Sequence, residues 1–363
     1  MDALLIGTGG TRGWPEPGCT CASCMLARAA GIRRGPGKVI IDGELTLRPG
    51  TPPVRRAAGP NAGHEITEIP GGWLITAPDG ARLLAAAGPG QVPAPPAGPG
   101  SDSAPCDIAL LDLLTSPAHL GRLRADGLVS EHTAVAALYT DHRIASEQEM
   151  TRRCRVWGVV PGTDGLVVRG RAGPRPAPPA RPHRTLILGG ARSGKSSEAE
   201  LRLAGEPSVT YLAAGPWPDD TWAGADGQRD AEWESRVAAH RAARPSWWRT
   251  QESLDVAGFL RRETGALLID GIGTWLAAIM TKLGAWSGPP AGGQLAAGID
   301  ELVRAWRETS ALVVAVSDEV GSGLVPEYPA GRQFRDQLGW LNQRLAAESE
   351  LTLLVTAGKT VAL

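Results

Sequence analysis

The run Gly189-Gly190-Ala191-Arg192-Ser193-Gly194-Lys195-Ser196 constrains this chain more than any other stretch. It fits G-x-x-x-x-G-K-[ST] between an apolar segment and a helical one. Its glycines let backbone N–H groups wrap phosphate oxygens, and the N-terminus of the following helix adds a favourable dipole. Lys195 then reaches the β- and γ-phosphates, and the Ser196 hydroxyl is placed to ligate Mg²⁺. Only Lys38, Lys195, Lys282 and Lys359 are lysines among 37 basic residues, so a chance match is on the order of one in a hundred. Ala357-Gly358-Lys359-Thr360 carries a similar triplet without the upstream glycine and reads as a terminal strand.

The surroundings agree with such a loop. Strand candidates TLILGG, SVTYLAA, ALLIDG, ALVVAVSDE and LTLLVTAG alternate with helical stretches over Ser196–Leu203, Asp230–Ala243, Leu254–Glu263, Thr274–Leu283, Gln294–Glu308 and Gly331–Glu348. Near-continuous apolar strands between helices predict an α/β fold whose mostly parallel sheet is covered on both faces. In the other half, ALLIG, KVIID, GWLITA and DIALLD read as strands between Gly and Pro turns. At 363 residues the chain has room for two domains. The Pro-rich stretch Arg171 to His183 has the character of a linker, giving domains 1–170 and 184–363. A second tract, Gly88 to Pro105, offers little apolar surface and predicts a mobile loop.

Charge and cysteine usage narrow the class. A net charge of −1 gives no global footprint for nucleic acid. No run reaches the roughly 18 apolar residues of a membrane span, and the first residues lack a basic, signal-like region. Cys19, Cys21 and Cys24 are packed closely, which fits a reducing compartment and a zinc site better than disulfides. The expected location is cytoplasmic.

Two further features bear on chemistry. Helical spacing places Arg236, His240 and Arg244 on one face, flanked by Arg241. A neutral imidazole there can attack phosphorus with guanidiniums beside it, and the same pattern equally fits a solvated helix face. Asp270 and Asp318 each end an apolar strand, where a carboxylate can support Mg²⁺ or simply cap a turn.

Four separated blocks carry a resemblance. They are Gly189 to Ser196, the Arg- and Trp-rich run Arg236 to Thr250, the LLIDG strand, and Val316 to Glu327 with Phe334 to Ala346. Together they resemble the bifunctional adenosylcobinamide kinase / adenosylcobinamide-phosphate guanylyltransferases of cobalamin biosynthesis. The resemblance implies a P-loop domain using GTP and ATP with Mg²⁺ on a corrinoid substrate, adenosylcobinamide. It also implies a homo-oligomer, trimeric in family members. It makes His240 the group that carries GMP as a phosphoramidate and Lys195 its catalytic partner. Ala213, Ala214, Gly215, Arg241, Ala242, Ala243, Arg244, Glu252 and Asp270 then line the nucleotide site. Family members usually have Thr and Asn where this chain has Gly273 and Ala278, and Asn where it has Asp318. The competing reading is a nucleotide-dependent regulatory or corrinoid-binding protein with reduced or lost catalysis.

The N-terminal half resembles metallo-β-lactamase-fold phosphodiesterases of the phosphonate-degradation type, on Gly7 to Gly10 followed by Cys19, Cys21 and Cys24. That resemblance implies a structural Zn²⁺ held by the three cysteines and a distant histidine, for which His142 is the choice. The H-x-H-x-D-H cluster of the catalytic metals is missing, since His64, His119, His132 and His142 are scattered. The half is expected to be a truncated, catalytically inactive α/β version of that fold.

Overall fold

The computed structural model describes residues 1–55, 63–94, 104–170, 181–215, 244–287 and 293–363. They belong to two compact units, Met1–Ala180 with Ala204–Pro207, and Arg181–Leu203 with Ser208–Leu363. Most of the Pro-rich linker stretch and the helix expected over Asp230–Ala243 lie outside the described residues. Among the described residues no helix is long and apolar enough to cross a membrane.

The first unit is a two-sheet sandwich. β1 (Asp2–Gly7), β2 (Lys38–Ile41), β3 (Leu45–Arg48) and β4 (Thr51–Arg55) pair antiparallel in that order. The second sheet takes β5 (Glu65–Ile69), β6 (Gly72–Thr76), β7 (Arg82–Ala86), β8 (Ile108–Leu111), β9 (Ala134–Ala137) and β10 (Val160–Pro161). It is antiparallel from β5 to β7 and parallel from β7 to β10. β11 (Val167–Arg169) returns to the outer edge of β1. Side chains alternate across a strand, so Ala3 and Leu5 are fully buried while Ile6 is 40% exposed. Leu5, Ile41 and Leu45 from one sheet meet Ile75, Leu83, Ile108 and Leu110 from the other in a single core.

The tract expected to be mobile is partly fixed. Gly90 N–H donates to Asp112 Oδ2 at 2.6 Å and Ala94 N–H to the Pro70 carbonyl at 2.9 Å. Composition missed this because backbone hydrogen bonds and the single buried Pro93, not a periodic apolar pattern, hold those residues. Residues 95–103 lie outside the described residues.

The second unit is one seven-stranded sheet. Its strands are β12 (Arg184–Gly189), β13 (Val209–Ala213), β14 (Arg249–Glu252), β15 (Ala266–Asp270), β16 (Leu312–Asp318), β17 (Leu351–Thr356) and β18 (Lys359–Ala362), in the order β14-β13-β15-β16-β12-β17-β18. All neighbours are parallel except the terminal hairpin β17–β18. The apolar runs are explained by burial on both faces. Leu186, Leu267, Ile269, Val313 and Ala315 face a core built with the helices Val256–Arg262, Ile272–Lys282, Gln294–Glu308 and Pro329–Ala347. Their strand neighbours Ile187, Leu268, Val314 and Val316 face the opposite core, with Ala199 and Leu203 of the helix Lys195–Leu203. β14, with the polar sequence RTQE, was not legible as a strand: it is an edge strand whose residues are mostly exposed, so no apolar pattern marks it.

Candidate nucleotide site

In open parallel sheets, ligands bind beyond the carboxyl ends of the strands. Here the register sets those ends side by side: Glu252 opposite Ala213, Ala213 opposite Asp270, Asp270 opposite Val316, and Asp318 opposite Gly189. Gly189 to Ser196 therefore lies between β12 and the helix Lys195–Leu203, at the same edge as Asp270, Ala213 and Glu252. A Cβ on Gly189 would stand 2.5 Å from Ser193 Oγ and 2.6 Å from the Val355 carbonyl, and Gly194 has φ +98°, so both positions require glycine. The loop is braced by the terminal hairpin, where Gly358 N–H donates to the Ser193 carbonyl at 2.8 Å. The second lysine-containing triplet is thus a support for the loop Gly189 to Ser196.

Lys195 Nζ donates to the Gly190 carbonyl at 3.1 Å and pairs with Asp318 Oδ1 at 3.0 Å. The Ser193 hydroxyl is buried with no hydrogen-bond partner among the described residues. A buried donor left open beside a lysine and a helix N-terminus suits a phosphate oxygen. Asp270 accepts a short hydrogen bond from the Tyr211 hydroxyl, and the Arg244 guanidinium lies 3.2 Å from the centre of the Tyr211 ring. Burial, with the Asp270 carboxylate nearby, raises the Tyr211 hydroxyl well above its ordinary value. Glu200 belongs to the same cluster. Burial first, then Asp270, pushes its carboxyl up to about 6, against a smaller lowering by Arg244. Arg244, Trp248, Thr250 and Glu252 also line one open cavity of about 550 Å³.

His240, Arg241, Ala242 and Ala243 lie outside the described residues. Of the expected nucleotide-site residues that are described, Ala213, Ala214, Gly215 and Asp270 sit on or just after the ends of β13 and β15, and Ala214 N–H donates to the Asp270 carbonyl at 3.0 Å.

In the first unit, Cys19, Cys24 and His142 bring their ligand atoms within 4.8 Å of one another. Cys21 is exposed at the start of the helix Ala22–Ala29 and is not one of that group. The Cys24 amide, above all, lowers the Cys21 thiol, whereas burial pushes Cys24 up to about 11. Glu16 Oε2 stands 3.3 Å from His142 Nδ1. Two thiols and an imidazole, separated by more than 100 residues of sequence, thus meet in one place, with Cys21 between the two cysteines in the chain.

Comparison with known proteins fixes the family. Residues 185–363 match the family described as cobinamide kinase / cobinamide phosphate guanyltransferase. The bifunctional adenosylcobalamin biosynthesis protein CobU of Salmonella typhimurium is 36% identical over 184 residues, covering 48% of this chain and 95% of that protein. CobP of Pseudomonas aeruginosa, described in the same words, is 39% identical over 181 residues, covering 48% and 94%. CobU of Escherichia coli is 32% identical over 183 residues, covering 48% and 95%. The chain belongs to the cobinamide kinase / guanyltransferase family.

It is an enzyme of that family through its second unit, and the matched residues contain the whole carboxyl edge just described. Sequence reasoning missed Tyr211 and Glu200. Tyr211 lies inside an apolar strand and Glu200 on an ordinary amphipathic helix, so only tertiary packing around Asp270 marks them. Gly273 and Asp318, singled out separately in the sequence, prove to be neighbours. A Cβ on Gly273 would stand 2.7 Å from Asp318 Oδ2.

Proposed function

We propose that the second unit phosphorylates the aminopropanol hydroxyl of adenosylcobinamide with ATP or GTP, then transfers GMP from GTP to that phosphate by way of His240. The observation that carries this reading is the glycine-rich loop with Lys195 at the carboxyl edge of the sheet, an edge it shares with Asp270 and Glu252. Family membership supports the pair of reactions.

In the first step the acceptor oxygen bonds to the γ-phosphorus as the bond to the β–γ bridging oxygen breaks, and a nucleoside diphosphate leaves. Lys195 offsets charge on the β- and γ-phosphates, and the loop N–H groups hold them in line. The hydroxyl of Ser196 and the carboxylates of Asp270 and Asp318 are hard oxygen donors of the kind Mg²⁺ takes. Held by these oxygens, Mg²⁺ would offset the negative charge of the triphosphate. In the second step the neutral imidazole of His240 bonds to the α-phosphorus of GTP and pyrophosphate leaves. The substrate phosphate then takes GMP from the imidazole, and a GDP-linked corrinoid results. Arg241 and Arg244 stabilise charge on the phosphorus being attacked.

Incubation with α- or γ-labelled GTP, with and without adenosylcobinamide, tests both steps by intact-protein mass spectrometry. Wild type should keep an acid-labile, base-stable GMP label from α-labelled GTP, and His240→Ala should keep none while still phosphorylating the corrinoid slowly. A His240→Ala protein that still labels and makes the GDP-linked product would place the nucleophile elsewhere.

For the first unit we infer a structural zinc on Cys19, Cys21, Cys24 and His142, within an inactive metallo-β-lactamase-like sandwich. The clustering of Cys19, Cys24 and His142 supports the metal, and Cys21 is the nearby thiol that would complete the set. The state of the acidic residues supports the inactivity. Asp112 is fully buried, and its oxygens accept from Arg143 Nη1 at 2.8 Å, Gly90 N–H at 2.6 Å and Leu114 N–H at 2.9 Å.

A further inference from the structure

The ion pair between Lys195 and Asp318 has a consequence for how a triphosphate can enter. The backbone of Asp318 is fixed beside the loop: its carbonyl accepts from Asn342 Nδ2 at 3.0 Å, and the following N–H, of Glu319, donates to the Gly189 carbonyl at 3.1 Å. Asn342 is held in turn by the Ser317 hydroxyl, which donates to its Oδ1 at 2.6 Å. The carboxylate of Asp318 can therefore move only by rotation of its own side chain, from a backbone held beside the loop. The space it uses exists because residue 273 is glycine. A Cβ there would stand 2.7 Å from Oδ2 and 3.6 Å from Cγ, closer than an unmoved carboxylate tolerates. The glycine is not needed for the backbone, since Gly273 is the second residue of the helix Ile272–Lys282 and has no positive φ.

A triphosphate that binds the loop must take Lys195 from this carboxylate. One ammonium then faces the phosphate oxygens and Asp318 together. Within a few ångströms at a partly buried edge, like charges repel strongly unless another cation lies between them. We propose that Asp318, admitted by Gly273, makes triphosphate binding at Lys195 depend on a divalent cation, so that the site discriminates against metal-free nucleotide. Asp318 is here a specificity-determining residue; the inference rests on the phosphate-loop reading of Gly189 to Ser196.

The test is calorimetric titration of the full chain with the α,β-methylene analogue of GTP, which cannot guanylate a histidine, in excess magnesium chloride or in EDTA at matched ionic strength. Wild type should bind far more weakly in EDTA. Asp318→Asn removes the charge and keeps the shape, and should tighten binding in EDTA by about tenfold while weakening binding in magnesium. Gly273→Ala should act in the same direction with a smaller effect, because it displaces the carboxylate instead of removing it. In an Asp318→Ser background the same glycine change should do nothing further. Circular dichroism of each variant checks that it is folded. If Asp318→Asn leaves the ratio of the two affinities unchanged, or tightens both equally, the proposed linkage is wrong. If wild type binds the analogue under neither condition, the phosphate-loop reading itself fails and this inference falls with it.

Discussion

Both units carry acidic side chains at or near the carboxyl ends of parallel strands, and they treat them in opposite ways. In the first unit the surrounding protein satisfies these groups. Asp112 is closed in by Arg143 and backbone N–H groups, Asp141 also pairs with Arg143 at 2.8 Å, and Asp164 accepts from the Thr8 amide at 2.8 Å and the Gly35 amide at 2.7 Å. In the second unit Asp318 is 40% exposed at its side chain and shares Lys195, and the Ser193 hydroxyl is buried without a partner among the described residues. A carboxylate with every oxygen engaged contributes to a fold. One whose partner a ligand can take away is available for chemistry.

Removing the decisive cation from each unit sharpens that contrast. Lys195→Ala should abolish measurable binding of GTP and ATP in calorimetry, because the phosphate loop loses its only lysine, while the melting temperature changes little. GTP affinity equal to wild type would break the assignment of the open site. Arg143→Leu should do the reverse. It leaves Asp112 as a buried charge short of its counter-ion, at a cost of about 3–5 kcal/mol. That corresponds to a fall of roughly 10 °C in the first unit's melting temperature, with GTP affinity unchanged. If nucleotide binding were lost instead, Arg143 would belong to the site.

The proposed zinc should give a smaller shift, because the core between the two sheets is complete without it. Metal analysis of reduced protein should find about one zinc per chain, and chelation should lower the first unit's melting point by several degrees. Protein free of zinc after purification under reducing conditions would remove the metal from the account.

The smallest effect concerns Glu200. Its carboxyl is raised from 4.5 to about 6 in the folded state, chiefly by burial. The folded form therefore favours the protonated acid. This contribution to stability is complete below about 4.5 and is lost as pH rises through about 6. Glu200→Gln should flatten the pH dependence of the melting temperature across that window and leave the second unit slightly more stable than wild type at pH 7 to 8. An unchanged profile would place the burial cost elsewhere.

The sheet of the second unit was legible for a simple reason. A parallel strand buried on both faces must be apolar throughout, so β12, β13, β15, β16 and β17 stand out as uninterrupted runs. The helices Lys195–Leu203 and Gln294–Glu308 were equally clear from their period. The phosphate loop was legible because glycine and lysine at fixed spacing answer a local geometric demand, and the cysteine cluster was legible in part for the same reason. What remained hidden depended on which strands lie next to each other. The edge strand β14 has no apolar face to display. The Tyr211–Asp270–Glu200 cluster joins three elements that only the order β13-β15-β16-β12 and the overlying helix bring together.

The sequence by itself determined the strand–loop–helix around Gly189 to Ser196, the alternation that builds a parallel sheet, and the resemblance that singles out His240. Tertiary structure alone decided that Asp318 would pair with Lys195, that Gly273 would give it room, and that Asp112 would be sealed by Arg143. The division follows from range. Backbone geometry and periodic burial act over a few residues and leave their mark in local pattern. The partner of a charge is whatever the folded chain brings within a few ångströms, and a one-dimensional spacing does not encode that distance.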